Sequence, residues 1–190
     1  MPKKRTKKSS TKKRSSARKV AERKGPIPKG YGTVTPYLTV IGAAAAIDFY
    51  KRAFGAKEVG RSAMPDGKIL NATLDFNGSK LMLSDEFPGS QTKAPSSIGA
   101  TTVTLHLYSE DVDKLWEQAL AAGAKIVMPL DNQFWAERYG QVDDPFGHRW
   151  SMSMRIEMKP EEIQAKRQAA MAMFSQGEYP RHESEKPSDT

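Results

Sequence analysis

Two stretches of equal length decide the fold. Residues 44–59 read AAAIDFYKRAFGAKEV, and residues 112–127 read VDKLWEQALAAGAKIV. Each begins with apolar residues at the spacing of one helix face, reaches a glycine suited to a left-handed helix end, and passes into a strand-like segment. We infer an internal repeat, with helices over residues 44–54 and 112–122. The apolar stripes are Ile47, Tyr50 and Phe54 in the first helix, and Val112, Leu115, Trp116 and Ala119 in the second.

Strand-like runs surround both helices in the same order. The first copy has strands at residues 35–40, 68–76 and 80–84, with a turn at Pro65-Asp66-Gly67. The second copy has strands at residues 101–107 and 149–156, the latter preceded by Asp144-Pro145-Phe146-Gly147. With the segments after the two helix-ending glycines, both copies follow the order β-α-β-β-β. Two modules that each pack one helix on one face of a small sheet predict an α+β fold.

The strands alternate apolar and polar side chains, so one sheet face packs on the helices and the other is polar. In residues 70–76, the apolar set is Leu70, Ala72, Leu74 and Phe76. The polar face carries many threonines and few lysines or glutamates. Two interpretations stay open: a face exposed to solvent, as in many antiparallel sheets, or the lining of a cup formed by eight curving strands.

Charge is segregated along the 190 residues. Residues 1–24 hold 12 Lys and Arg and one acid, a net charge of +11, whereas residues 25–190 carry −3, which together give +8. Because Val20 is the only large aliphatic side chain there beyond the initiator methionine, we predict that residues 1–24 are disordered. Such a tail would contact nucleic acid non-specifically. The alternatives are a solubilising or phosphorylatable tail and a nuclear-localisation-like run.

Composition divides the chain into three parts. Residues 1–30 are a basic tail and a Gly/Pro-rich linker, residues 31–158 one domain, and residues 159–190 a C-terminal helix starting near Pro160, followed by an end that frays after Gly177. The absence of cysteine excludes disulfides and thiolate chemistry. The absence of a long apolar run or a signal-like start predicts no membrane contact and a cytoplasmic location, with nucleoid or nuclear association through the tail as a further option.

Several runs together resemble the PhnB-like branch of the vicinal oxygen chelate superfamily, which holds glyoxalase I, extradiol dioxygenases, and bleomycin and fosfomycin resistance proteins. The runs are TPYLTV at 35–40, AIDFYKRAFGA at 46–56, LMLSDE at 81–86, DVD at 111–113, FW at 134–135 and DPFGHRW at 144–150. The resemblance covers residues 33 to 157. It implies two βαβββ modules that form a curved, eight-stranded, U-shaped sheet, and a homodimer that completes or buries the sites.

Metal-dependent members of that superfamily hold an ion with His, Gln or Glu side chains from the first strand and a later strand of each module. The resemblance places these positions at Thr35, Thr73, Thr102 and Ser151. Neutral hydroxyls bind transition ions far more weakly than imidazole or carboxylate groups. We therefore predict no metal and no other cofactor. His106 has too few companions for a metal site, because a lone strand histidine more often serves as a hydrogen-bonding group.

Two functions follow from this pattern. The first is metal-free binding of a small molecule, as in drug-sequestering members of the superfamily, with a pocket on the polar strand face and among rim aromatics. The predicted pocket residues are Thr35, Tyr37, Asn71, Thr73, Asp75, Thr102, Thr104, His106, Trp135, Arg138, Tyr139, Ser151, Ser153 and Arg155. Trp150 has the parity of the apolar face and is predicted to point at the helices.

The second function is a glyoxalase-like lyase or isomerase in which Asp75, His106 or Glu137 replaces the metal-assisted proton transfer. Such a reaction needs donors that stabilise an enolate, and the sequence shows no constellation that supplies them. No catalytic residue is assigned.

Overall fold

The computed structural model describes residues 27–28 and 30–177. The disorder predicted for residues 1–24 and the fraying predicted after Gly177 lie outside the described residues. The elements, in chain order, are β1 (Tyr37–Val40), α1 (Ala43–Phe54), β2 (Lys57–Ala63), β3 (Ile69–Phe76), β4 (Ser79–Asp85), α2 (Pro95–Ile98), β5 (Thr104–Tyr108), α3 (Val112–Ala122), β6 (Lys125–Asn132), β7 (Glu137–Asp143), β8 (Arg149–Arg155) and α4 (Pro160–Ser175).

The eight strands form two four-stranded sheets, ordered β1-β4-β3-β2 and β5-β8-β7-β6. In each sheet the first strand of the module pairs in parallel with its last strand, and the other pairs are antiparallel. The predicted α+β class and the two βαβββ modules are confirmed. In the second module, the sequence pattern gave no bounds for strand β7.

The helices bury the predicted apolar stripes. Ile47, Tyr50 and Val112 are fully buried, and Leu115 is half-buried. Gly55 and Gly123 end α1 and α3 with φ angles of 66° and 110°, in the left-handed region that glycine enters without a Cβ clash. The two helices pack against each other, so the modules share one core.

One part of the predicted alternation is wrong. Leu70 was expected on the core face, but it is 47% exposed, whereas Ile69 is 1% exposed. The ladder between β2 and β3 shifts register between Ser62 and Ala63, where Ala63 pairs with Ile69. An irregularity of this kind changes the face on which the next side chain lies. From Ala72 onward the predicted parity is restored, since Ala72 and Leu74 are buried.

Aromatic rings fill the junction between the modules. Trp150 on β8 is 1% exposed, and its ring centroid lies 4.6 Å from that of Phe54 and 5.3 Å from that of Tyr50. This position confirms that Trp150 points at the helices. Within residues 27–28 and 30–177, no helix is both long and apolar enough to cross a bilayer.

Candidate functional site

The two parallel ladders define equivalent positions in the modules. Tyr37 lies opposite Met82 in the first module, and His106 lies opposite Ser151 in the second. Helices α1 and α3 begin six residues after Tyr37 and His106, respectively. Tyr37 therefore corresponds to His106, and Met82 to Ser151. These pairs mark the centre of the polar face in each module.

The polar face of the first module is engaged by the protein's own contacts. The hydroxyl of Tyr31, in the segment before β1, lies 3.0 Å from Oγ1 of Thr73. Asn71 donates a 3.1 Å hydrogen bond to the hydroxyl of Tyr37. The Lys80 ammonium lies 2.7 Å from Oδ2 of Asp75 and, together with the Gly78 amide, lowers the pKa of that carboxyl. A ligand on this face would have to displace these contacts.

His106 is the centre of the polar face of the second module. Its Nδ1 lies 2.8 Å from Oγ of Ser151, and its Nε2 lies 3.1 Å from Oγ of Ser153. Both serines are buried. Burial lowers the pKa of His106 and outweighs the opposing effect of the Glu137 carboxylate. The neutral ring has one donor and one acceptor nitrogen, so one serine hydroxyl donates to it and the other accepts from it.

An aromatic wall continues this face across β7. The rings of Trp135 and Phe134 meet edge to face at 4.9 Å, and those of Trp135 and Tyr139 at 5.5 Å. The indole Nε1–H of Trp135 donates to Oε2 of Glu137 over 3.2 Å. Gln141 donates a 2.7 Å hydrogen bond to the Tyr139 hydroxyl. These bonds orient the indole and the phenol, while Trp135 stays 43% exposed.

A cavity of about 720 Å³ lies between this wall and helix α4. We call it the α4 cavity. Its lining residues are Met128, Pro129, Asp131, Asn132, Gln133, Phe134, Trp135, Tyr139 and Gln141 on the sheet side, and Lys166, Ala169, Ala170, Met173 and Phe174 on α4. The combination of an apolar, aromatic lining with a few polar groups is typical of small-molecule sites.

The predicted pocket residues are not gathered in one place. Trp135 and Tyr139 line the α4 cavity, whereas Thr104 and His106 line another cavity of about 730 Å³ beside β5 and the linker. Thr35 and Thr102 precede β1 and β5 and lie outside the strands. The first-module residues Tyr37, Asn71, Thr73 and Asp75 make the internal contacts given above, and Ser151 and Ser153 lie against His106. Arg155, at the end of β8, is exposed and pairs across the ladder with Glu137.

Arg138 is predicted to line the pocket together with Tyr139, but the two side chains lie on opposite faces of β7. Its guanidinium lies on the helix side of β7, where Nη2 donates to Oδ1 of Asp113 over 2.6 Å and Nε donates to Oδ2 over 2.9 Å. Neighbouring residues on a strand point to opposite faces, so Arg138 and Tyr139 are separated by the sheet. The arginine ties β7 to the first turn of α3.

Sequence reasoning missed three kinds of site residue. Gln141 shares the parity of Tyr139, so the alternation along β7 was a signal that could have found it. Tyr31 and the α4 residues reach their positions through contacts distant in sequence. No local pattern marks them as part of either polar face.

Comparison with known proteins places this architecture in a family. Residues 32–152 match the family model of the Glyoxalase/Bleomycin resistance protein/Dioxygenase superfamily. The chain belongs to this superfamily. The matched region spans both modules and ends inside β8, so α4 lies beyond it.

Relatives within the glyoxalase superfamily extend over most of the domain. The Mycobacterium bovis protein Mb0911c, whose function is uncharacterized, is 47% identical over 149 residues, which cover 76% of this chain and 94% of that protein. The crystal structure of TioX from Micromonospora sp. ML1 is 28% identical and covers 67% of this chain and all of TioX, with a TM-score of 0.52. The PhnB protein structure from Bacillus cereus shares the fold, at 24% identity, a TM-score of 0.51, and coverage of 65% of this chain and 99% of that one.

The residues of this glyoxalase-superfamily member do not fit the metal ion that metal-dependent members of the superfamily hold. Ser151 and Thr73 are hydroxyl groups already bonded to His106 and Tyr31, and the matched positions Tyr37 and Met82 add a phenol and a thioether. Among residues 27–28 and 30–177, no group of three His, Asp or Glu side chains is placed to hold an ion. Divalent transition ions need imidazole, carboxylate or thiolate donors.

Proposed function

We propose that the protein binds a small organic molecule without a metal ion, in the α4 cavity. The observation that carries this proposal is the aromatic wall of Phe134, Trp135 and Tyr139, which faces a space of about 720 Å³. Cavities of roughly 300–1,000 Å³ accommodate drug-sized ligands. Large, rigid aromatic side chains also provide contact area at a small cost in side-chain entropy.

The hydrogen bonds at the candidate acids and bases favour binding over turnover. Asp75 is engaged by Lys80 and Gly78. Glu137 accepts from Trp135 and Tyr108. Both ring nitrogens of His106 lie within hydrogen-bond distance of serine hydroxyls. A glyoxalase-like lyase or isomerase would need one of these groups to be free to move a proton, so it is the less supported alternative.

A thermal-shift screen tests the binding proposal. The panel contains aromatic antibiotics, thiol conjugates and phosphonates, each measured with EDTA and again with added Zn²⁺, Ni²⁺ or Mn²⁺. A bound ligand raises the melting temperature by mass action, and we expect the same rise with and without EDTA. Trp135→Ala should remove the shift, whereas Phe87→Ala, a half-buried aromatic outside the cavity, should keep it. A shift that requires metal would overturn the proposal.

We also propose that the protein forms a homodimer. Among the described residues, β1 and β5 each pair with a single neighbouring strand, and each leaves one edge without a ladder. Exposed apolar side chains, including Tyr37, Val103 and Tyr108, lie on or next to these strands. A second copy that covers them would remove both edges from solvent. Light scattering coupled to gel filtration measures the mass directly, and a monomer at micromolar concentration would contradict the proposal.

Non-specific contact with nucleic acid through residues 1–24 is a separate proposal. Its support is the net charge of +11 on 24 residues, against −3 on the remainder. The segment has no aromatic side chain for base stacking, so its contacts would be with phosphates. Cytoplasmic location stays a prediction, and nucleoid or nuclear association is a further option that depends on this tail.

A further inference from the structure

Helix α4 lies beyond the region that matches the superfamily model. The family match ends at residue 152, and α4 spans Pro160–Ser175. None of its residues is buried, and the half-buried positions Ile163, Lys166 and Ala170 follow one helix face. That face is turned toward the aromatic wall, because Lys166 and Ala170 line the α4 cavity. The helix thus lies across a space that it does not fill.

Small side chains on α4 face large side chains on the sheet. Ala169 and Ala170 contribute one methyl group each to the cavity, opposite a wall that includes Trp135 and Tyr139. The space between them would be closed by a larger side chain at position 170. We therefore expect the size of the side chain at position 170 to limit how thick an occupant can be.

The lining of the α4 cavity carries one negative and one positive side chain. Asp131 on the sheet side and Lys166 on α4 are the two charged side chains among the described residues that line the cavity. The other polar groups include the amides of Gln133 and Gln141, whereas the Asn132 amide oxygen accepts a 3.3 Å hydrogen bond from Nη1 of Arg138. Amides supply both donors and acceptors to an uncharged ligand. An unpaired charge buried beside the aromatic wall would lose its hydration without gaining a partner of its own.

We propose that α4 is the specificity-determining wall of the site, and that with Ala170 and Lys166 it selects flat aromatic ligands that carry no net charge. This inference rests on the proposed function, since it specifies the ligand class of the same cavity. Occupancy by such a ligand would bury the inner face of α4 and would give the helix further apolar contacts.

Two fluorescent probes that share a ring system test this inference. N-phenyl-1-naphthylamine is uncharged, and 8-anilinonaphthalene-1-sulfonate is the same amine with a sulfonate. We expect the full-length protein to bind the uncharged probe about tenfold or more tightly than the anion. Ala170→Phe should weaken binding of the uncharged probe about tenfold or more. Ala165→Phe makes the same change at an exposed α4 position outside the cavity and should leave binding unaltered.

The outcomes separate this inference from the proposed function. If the protein binds neither probe but the thermal-shift screen finds another metal-free ligand, the inference fails and the proposed function stands. If neither experiment finds a ligand, both fail. If it binds but Ala170→Phe and Ala165→Phe behave alike, with matching circular dichroism, α4 is not a wall of the site. If the two probes bind equally, selection against charge is wrong. Asp131→Asn provides a further check, because removing the acid should strengthen binding of the anionic probe while leaving that of the uncharged probe unaltered.

Discussion

The hydroxyl of Tyr50 on α1 donates a 2.8 Å hydrogen bond to Oδ2 of Asp144, in the turn between β7 and β8. The same oxygen accepts the indole N–H of Trp150 at 2.9 Å, while Oδ1 accepts the amides of Phe146 and His148. Asp144 is only 5% exposed. Burial and this carboxylate raise the pKa of Tyr50, so the phenol remains a donor. The contact joins the two modules at the core.

Removing this junction should destabilise the protein. Tyr50→Phe deletes one donor to a buried carboxylate and should lower the free energy of unfolding by about 2 kcal/mol. Asp144→Ala leaves four donors without their acceptor and should cost about 3 kcal/mol or more. Urea denaturation measures both. Asp48→Asn, an exposed acid on the same helix as Tyr50, is the control and should change stability by less than about 0.5 kcal/mol. Equal stabilities for Tyr50→Phe and the control would contradict a stabilising role for the hydrogen bond between Tyr50 and Asp144.

Gly140 on β7 should tolerate no side chain. A Cβ atom there would lie 2.6 Å from Cζ3 of Trp116 and 2.9 Å from the Cα atom of Leu130. Gly140→Ala should therefore destabilise the second module by about 1–3 kcal/mol through overpacking. Gly60→Ala, in β2, meets no atom within 4 Å and is the matched control. Should thermal unfolding show the two variants equally stable, the packing of α3 on β7 would differ from that described.

The protonation of His106 should reflect the partial desolvation of its ring. Desolvation lowers its pKa from the usual histidine value, so folding favours the neutral ring. The associated stability is present above the pKa of the unfolded chain and is lost as the pH falls through the folded-state pKa. An NMR titration of the ring proton should show the lowered pKa. Glu137→Gln should lower it further, because the carboxylate raises it. If the pKa of His106 is unchanged or raised in Glu137→Gln, the Glu137 carboxylate does not lie close enough to act on the ring.

Deleting residues 1–24 should abolish retention on immobilised DNA at low salt. In the full chain, log affinity should fall linearly with log salt concentration, with a slope of about −0.9 for each phosphate neutralised. The deletion removes a net charge of +11 and leaves −3. Unchanged retention of the truncated protein would assign any DNA contact to the domain instead of the tail.

Periodicity and glycine placement made the modules predictable, because the apolar stripes around Tyr50 and Trp116 and the caps at Gly55 and Gly123 are local features. The register shift that exposes Leu70 depends on how β2 meets β3, which a single strand does not encode. The sequence could have predicted the position of Arg138, because side-chain alternation along a strand places it and Tyr139 on opposite faces of the sheet. The approach of Tyr31 to Thr73 and of α4 to the aromatic wall depends on tertiary packing alone.

The central claim is metal-free binding against the aromatic wall, and the three tryptophan indole N–H signals report on it. In a two-dimensional NMR titration with N-phenyl-1-naphthylamine in EDTA, the Trp135 signal should shift with saturation. The signals of Trp116 and Trp150, which are buried in the core, should stay in place. A titration that leaves Trp135 unmoved, or that moves it only after a transition metal is added, would contradict the claim.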